Sequence, residues 1–108
     1  MRTIQSPIYG AAEYGRYEII NFLVEAGIDP NIQTEDYTLA TPFRYAWLAG
    51  ADYDTIKYLL KQGADINEVS AAGYTCLSAA VARDDEKVVK LLEEWEAYGD
   101  VEADVKKG

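Results

Sequence analysis

The side chains in this chain that could do chemistry are few and scattered. Asp52 and Asp54 flank Tyr53, a carboxylate pair of the kind used in acid–base or metal chemistry. Asp84, Asp85 and Glu86 form a second acidic run, and Cys76 is the one thiol. Histidine is absent, which removes the commonest general base and the commonest protein metal ligand. A thiol at a helix start could have a lowered pKa. With no imidazole to activate it, Cys76 instead reads as a small core residue. A single cysteine also excludes an internal disulfide and a Cys-rich zinc site. Asp52 and Asp54 have no His, Cys or Lys cluster beside them and read as a solvated turn. The run at 84–86 reads as a helix start, where negative charge suits the macrodipole. No glycine-rich phosphate loop is present. The sequence predicts no enzyme, no cofactor and no metal site.

Charge narrows the partners. The formal net charge is −9, which opposes binding to a phosphate backbone, because that requires clustered Lys and Arg. No nucleic-acid partner is expected, and a basic protein is favoured, with encounter rates that fall as salt rises. No apolar run approaches the roughly 20 residues that span a bilayer. The opening MRTIQSPIYG has no apolar signal region. A cytoplasmic protein with no membrane partner is the expectation.

The elements that position these residues repeat. SPIYGAAEYGRYEIINFLVEAGIDPN (Ser6 to Asn31) returns as TPFRYAWLAGADYDTIKYLLKQGADIN (Thr41 to Asn67), and a degraded copy, TCLSAAVARDDEKVVKLLEEW, starts at Thr75. Pro42 follows Pro7 by 35 residues, and Cys76 follows Pro42 by 34. A period of this size marks stacked supersecondary units. Each copy opens with a hydroxyl residue that can cap a helix, followed by Pro7, Pro42 or Cys76 in the first turn. First helices are predicted over 7–14, 42–49 and 76–83, with Ala11, Ala12, Ala46, Ala79 and Ala80 permitting close approach. Gly15, Gly50 and Asp84 supply the left-handed residue that ends them. Second helices carry Ile19, Ile20, Phe22, Leu23 and Val24, then Ile56, Tyr58, Leu59 and Leu60, then Val88, Val89, Leu91 and Leu92.

At these residues the chain resembles the ankyrin repeat family, whose T-P-L-H-x-A motif matches the start of each copy in part. The resemblance covers about 6–95. It implies an all-α solenoid of stacked helix-turn-helix pairs with projecting hairpin-like loops. The expected organisation is one domain over 1–108, with repeats at about 6–38, 39–72 and 73–98 and an acidic tail at 99–108. The departures from the family pattern are specific. The motif histidine is replaced by Tyr9, Arg44 and Ser78, so its hydrogen bonds must be rebuilt. Trp47 stands where the family has a small alanine. One extra residue lies between Gly50 and Asp54. The loop from Asn31 to Thr41 is two residues longer than the one from Asn67 to Thr75, and has Leu39 where the later loop has Gly73. The third copy reads as a cap, its helix running to Tyr98, with Glu86, Lys90, Glu93 and Glu94 on a charged face. A complete short protein is the expectation, with a fragment of a longer array as the alternative.

The family binds proteins through the concave face made by inner helices and loop tips. Carried onto this register, the partner-binding candidates are Glu13, Tyr14, Gln33, Tyr37, Thr38, Leu48, Ala72, Tyr74 and Arg83. Tyr14, Tyr37, Leu48 and Tyr74 would form a partly hydroxylated apolar strip, with Glu13 and Arg83 at its ends. The resemblance implies a non-catalytic protein-binding module, and the acidic charge favours a basic partner for it. The alternatives are an inhibitor, immunity or antitoxin-type protein masking an enzyme, or a self-associating structural fragment. Self-association is the less favoured of the partner readings.

Overall fold

The three hydroxyl-led starts do fold as helices, each followed by a second, longer one. The computed structural model describes residues 6–36 and 38–100. Tyr37 and most of the acidic tail, 101–108, lie outside the described residues, as do residues 1–5. The elements are α1 (Ile8–Glu13), α2 (Tyr17–Glu25), α3 (Pro42–Leu48), α4 (Tyr53–Lys61), α5 (Cys76–Ala82) and α6 (Glu86–Tyr98). No strand occurs among the described residues. Helices this short are unstable alone in water, so packing between repeats must hold them. α1 packs on α2 and α3, α3 on α4 and α5, and α6 closes on α4 and α5. Ala12 and Ala46 are completely buried where these short helices meet, and Ile8, Ile20, Phe43, Ile56, Leu59 and Leu92 fill the core between layers.

The caps follow the sequence in two copies and depart from it in one. Thr41 Oγ1 accepts from the Arg44 N–H at 3.3 Å. Thr75 and Ser78 form a reciprocal capping box. In the first copy the helix begins at Ile8 instead, and Ser6 Oγ reaches only the Ile8 N–H, at 3.4 Å. With the preceding Pro7 already in helical backbone, Ser6 sits too far back to cap the turn. The extra residue of the second copy also has a clear place. Arg16, Ala51 and Asp85 each donate from the backbone to the residue five positions earlier (Ala11, Ala46 and Ala80), closing the short helices. Arg16 and Asp85 then serve at once as the N-cap of the next helix. In the second copy the added Asp52 takes that cap, and its carboxylate accepts from the Thr55 N–H at 3.0 Å.

Loop length is accommodated without opening the loop base. Thr34 N–H donates to the Ala40 carbonyl and Ser70 N–H to the Tyr74 carbonyl, both at 2.8 Å. The first loop thus encloses two more residues under the same closure. Asp36 organises them, accepting from Thr34 Oγ1 at 2.7 Å and from the Thr38 N–H and hydroxyl. The Thr38 and Thr34 hydrogen bonds hold the Asp36 carboxyl below its ordinary value. Gly73 closes the later loop at φ +88°, and Leu39 is forced into the same left-handed region at φ +47°. A branched side chain there is strained by about 1–2 kcal/mol, and the Leu39 side chain is exposed, so little burial offsets it. Leu39→Gly is expected to raise stability by about 0.5–1 kcal/mol after the extra unfolded-chain entropy of glycine is subtracted. A higher urea midpoint with unchanged slope checks this.

Two apolar positions of the predicted second helix are not in the core. Ile19 and Phe22 on α2 are exposed, whereas Tyr58 and Leu91, which share Phe22's register position, are buried. Burial there requires a preceding repeat, which the first copy lacks within the described stack.

Candidate functional site

The groove that follows from this stacking is built around Leu48, the last residue of α3, which stands exposed between two apolar hollows. One hollow, of about 230 Å³, is lined by Thr38, Ala40, Arg44, Tyr45, Leu48, Ser70 and Ala71. The other, of about 270 Å³, is lined by Trp47, Leu48, Tyr74, Ser78, Ala79, Ala82 and Arg83. Loop tips therefore form one wall, with α3 and α5 the floor. Among the described residues no group of Asp, Glu or Cys is placed to hold a metal ion.

Rigid anchoring underlies the groove, supplied by the residues that replace the motif histidine. Tyr9 Oη donates to the Ile32 carbonyl at 3.0 Å, fixing the first loop to α1. Burial pushes the Tyr9 hydroxyl pKa up, with neighbouring Tyr45 and the acidic loop adding to it. Arg44 does the corresponding work for the second loop. Its Nη1 donates to the Val69 carbonyl at 2.8 Å, its Nη2 to the Thr38 carbonyl, and its Nε pairs with Glu68 at 3.1 Å. Glu68 also accepts from the Thr41 hydroxyl and from the Thr41 N–H, the latter at 3.3 Å. One guanidinium thus ties two successive loop tips to the helix between them. Arginine can do this because its fork presents several donors in fixed directions.

The nine candidates are not equally placed. Thr38 and Leu48 line the first hollow, and Leu48, Tyr74 and Arg83 line the second. Arg83 is committed to the fold. Its Nη1 and Nη2 donate to the Trp47 and Leu48 carbonyls at 2.5 and 2.6 Å, at the end of α3, where the Trp47 carbonyl also accepts from the Gly50 N–H. A side-chain carbon at Gly50 would sit 3.3 Å from the Arg83 Nε, so the guanidinium lies close over that turn. Glu13, Tyr14, Gln33 and Ala72 are exposed but line neither hollow. Tyr37 lies outside the described residues. Sequence reasoning missed Tyr45, half-buried against Tyr9 with ring centroids 5.1 Å apart. The signal was available, since Tyr45 precedes Leu48 by three residues and such pairs share a helix face.

The other chemical candidates are structural. Asp52 caps α4, and Asp54 is exposed in its first turn. Between them the Tyr53 ring lies under two ammonium groups, Lys57 at 5.6 Å and Lys87 at 5.1 Å from its centre. Cys76 is buried, and desolvation pushes its thiol up to about 12 despite the opposing pull of Arg83. The native protein is therefore expected to resist a thiol-reactive dye at pH 8 and to react once urea unfolds it. Rapid labelling of the folded chain would contradict the burial.

No helix among the described residues is long and apolar enough to cross a membrane. No curated protein matches the chain. A family model described as ankyrin repeats, in three copies, matches residues 8–105, and the three stacked helix pairs, from Ile8 to Tyr98, lie within that match. The chain belongs to the ankyrin repeat family.

Proposed function

We propose that this protein is a non-catalytic docking module that captures a basic protein on its concave, inner-helix face. Ankyrin repeats are in general protein–protein interaction modules, and that much holds for this chain by membership. The observation that supports the finer reading is the pair of apolar hollows flanking Leu48, walled by loop tips that Arg44 holds in place. A preformed, rigid groove keeps down the ordering cost of association, which is why such surfaces bind well. Tyr45, Leu48 and Tyr74 supply the apolar and aromatic area that makes hot spots. The net charge of −9 steers a cationic partner toward the protein from a distance.

The test is affinity capture from the native host with the wild type and a Leu48→Ala/Tyr74→Ala variant. Both side chains are about half exposed, at 49% and 58%, so the variant keeps its fold. Binding is expected to weaken about 100-fold, the combined loss of two central contacts. The captured protein is expected to be basic and to release faster as salt rises. A partner held equally by both proteins would place the docking surface elsewhere.

A further inference from the structure

A hollow between α2 and α4 shares no residue with the docking groove. It encloses about 400 Å³ and is lined by Tyr17, Glu18, Asp54, Lys57, Tyr58 and Lys61. Tyr17 and Tyr58 meet edge-on in it, with ring centroids 5.0 Å apart. Lys61, Lys57 and Asp54 are spaced by four and three residues, so they share one face of α4. Thr55 Oγ1 donates to the Gly15 carbonyl and Tyr58 Oη bonds Asn21 Oδ1, so the two helices run parallel. Glu18, in the first turn of α2, therefore lies at the Asp54 end. Read from Lys61 backwards, the rim is positive, positive, negative, negative. Asp100 sits at its positive end, with Oδ1 3.3 Å from Lys61 Nζ and both side chains only 25% exposed.

The chain reaches that point by an exit unlike the two before it. At the ends of α2 and α4 the Gly27 and Gly63 N–H groups donate three residues back, to Val24 and Leu60. The next N–H, of Ile28 or Ala64, donates five back, to Leu23 or Leu59. That closure turns the chain into the projecting loops. α6 instead runs on to Tyr98, and the Gly99 N–H still donates four residues back, to Trp95, before the backbone turns at φ 74° and ψ −153°. The third repeat thus sends its chain towards Lys61 on a course of its own.

We propose that the tail 101–108, which lies outside the described residues, straps back along α4 and fills the hollow between α2 and α4. Charge order carries the assignment. After Asp100 come Glu102 and Asp104, then Lys106 and Lys107: negative, negative, positive, positive. With Asp100 held at Lys61, Glu102 and Asp104 meet Lys61 and Lys57, and the two lysines of the tail meet Asp54 and Glu18. The reach is ample, since Lys61 to Asp54 spans about 10 Å of helix and six extended residues cover about 20 Å. Extended, the tail sets Val101, Ala103 and Val105 on one face and Glu102, Asp104 and Lys106 on the other. The charged face follows the α4 rim and the apolar one lies toward the exposed Tyr17 ring. Single exposed ion pairs are weak, but a tether this short holds the segment at an effective concentration on the order of millimolar, and several pairs form together. The strap ties the third repeat to the first across the second. It does not depend on the partner-capture reading.

A nitroxide on Gly108→Cys in the full chain tests this through paramagnetic broadening of backbone amides. Buried Cys76 leaves the engineered thiol as the labelled one. The expected result is broadening centred on Tyr17, Glu18 and Asp54. It should vanish near 1 M salt, where screening acts within about 3 Å. It should also vanish with Lys57→Glu and return with Lys57→Glu/Asp104→Lys. Lys57 is only partly buried on the helix surface, so its variants fold, which circular dichroism verifies. Broadening spread evenly over the surface, or unmoved by Lys57→Glu, overturns the strap, as does a double variant that fails to recover. Broadening centred on 64–69 would mean a third projecting loop, and broadening around Leu48 and Tyr74 a tail in the docking groove; either overturns it. So does broadening that appears only when labelled chains are mixed with separate isotope-enriched ones, which would mean contact between copies.

Discussion

Replacing Arg44 with alanine is expected to remove about 3 kcal/mol of stability, among the largest losses any single substitution in this chain can cause. The residue is buried, and its guanidinium bonds the Val69 and Thr38 carbonyls while pairing with Glu68 at 3.1 Å. Alanine leaves the Glu68 carboxylate largely buried without a cation, and two loop carbonyls without donors. Leaving such groups uncompensated costs more than the intact pair contributes. Small domains have about 5–15 kcal/mol in total, so the variant should unfold at a markedly lower urea concentration. Arg44→Lys should recover only part of the loss, because one ammonium cannot reach three acceptors in the directions the fork supplies. The double change Arg44→Met/Glu68→Leu should be milder than Arg44→Ala, since it removes both charges together. A loss below about 1 kcal/mol for Arg44→Ala would mean that the pair behaves as an exposed one.

Trp47→Ala is expected to cost about 3–5 kcal/mol through the cavity it leaves. Trp47 is buried at a register position held by Ala12 in the first repeat and by exposed Val81 in the third. Around it lie Ile56, Cys76, Ala80 and Val88, a lining that cannot collapse far without moving α5. Trp47 is also among the residues lining the hollow beside Tyr74, so the change should deform the groove as well as the core. Its indole N–H is buried with no hydrogen-bond partner among the described residues. Trp47→Phe removes that unpaired donor while keeping most of the ring, so it should cost clearly less than the lost volume alone implies. Urea unfolding of the two variants in parallel checks both statements. A Phe variant as unstable as the Ala variant would contradict the second.

The fold was legible because its signals are local and repeated. Hydroxyl-led helix starts, left-handed residues at Gly15, Gly50 and Asp84, and a period near 34 each act within a few residues, and three copies reinforce them. The replaced histidine also announced itself, although the sequence did not say what would take over. Tyr9 and Arg44 reach carbonyls 23 and 25 residues away, distances no local pattern encodes. Arg83 shows the same limit from the other side. As an exposed, charged residue at an inner-helix end it read as a partner contact, yet its donors go to carbonyls of the neighbouring repeat, 35 and 36 residues back. Phe22 could not be told from Tyr58 and Leu91 by periodicity, because burial at that position depends on what packs against the repeat.

The measurement that tests the docking surface most directly is site-specific photo-cross-linking in the native host. A photoreactive phenylalanine analogue takes the place of Tyr74 in the groove, or of Tyr98, which is also exposed but lies outside it. The expected result is a cross-link from position 74 to one basic protein, absent from position 98 and lost when Leu48→Ala is added. Equal cross-linking from both positions, or from position 98 alone, would contradict a docking site in the groove around Leu48.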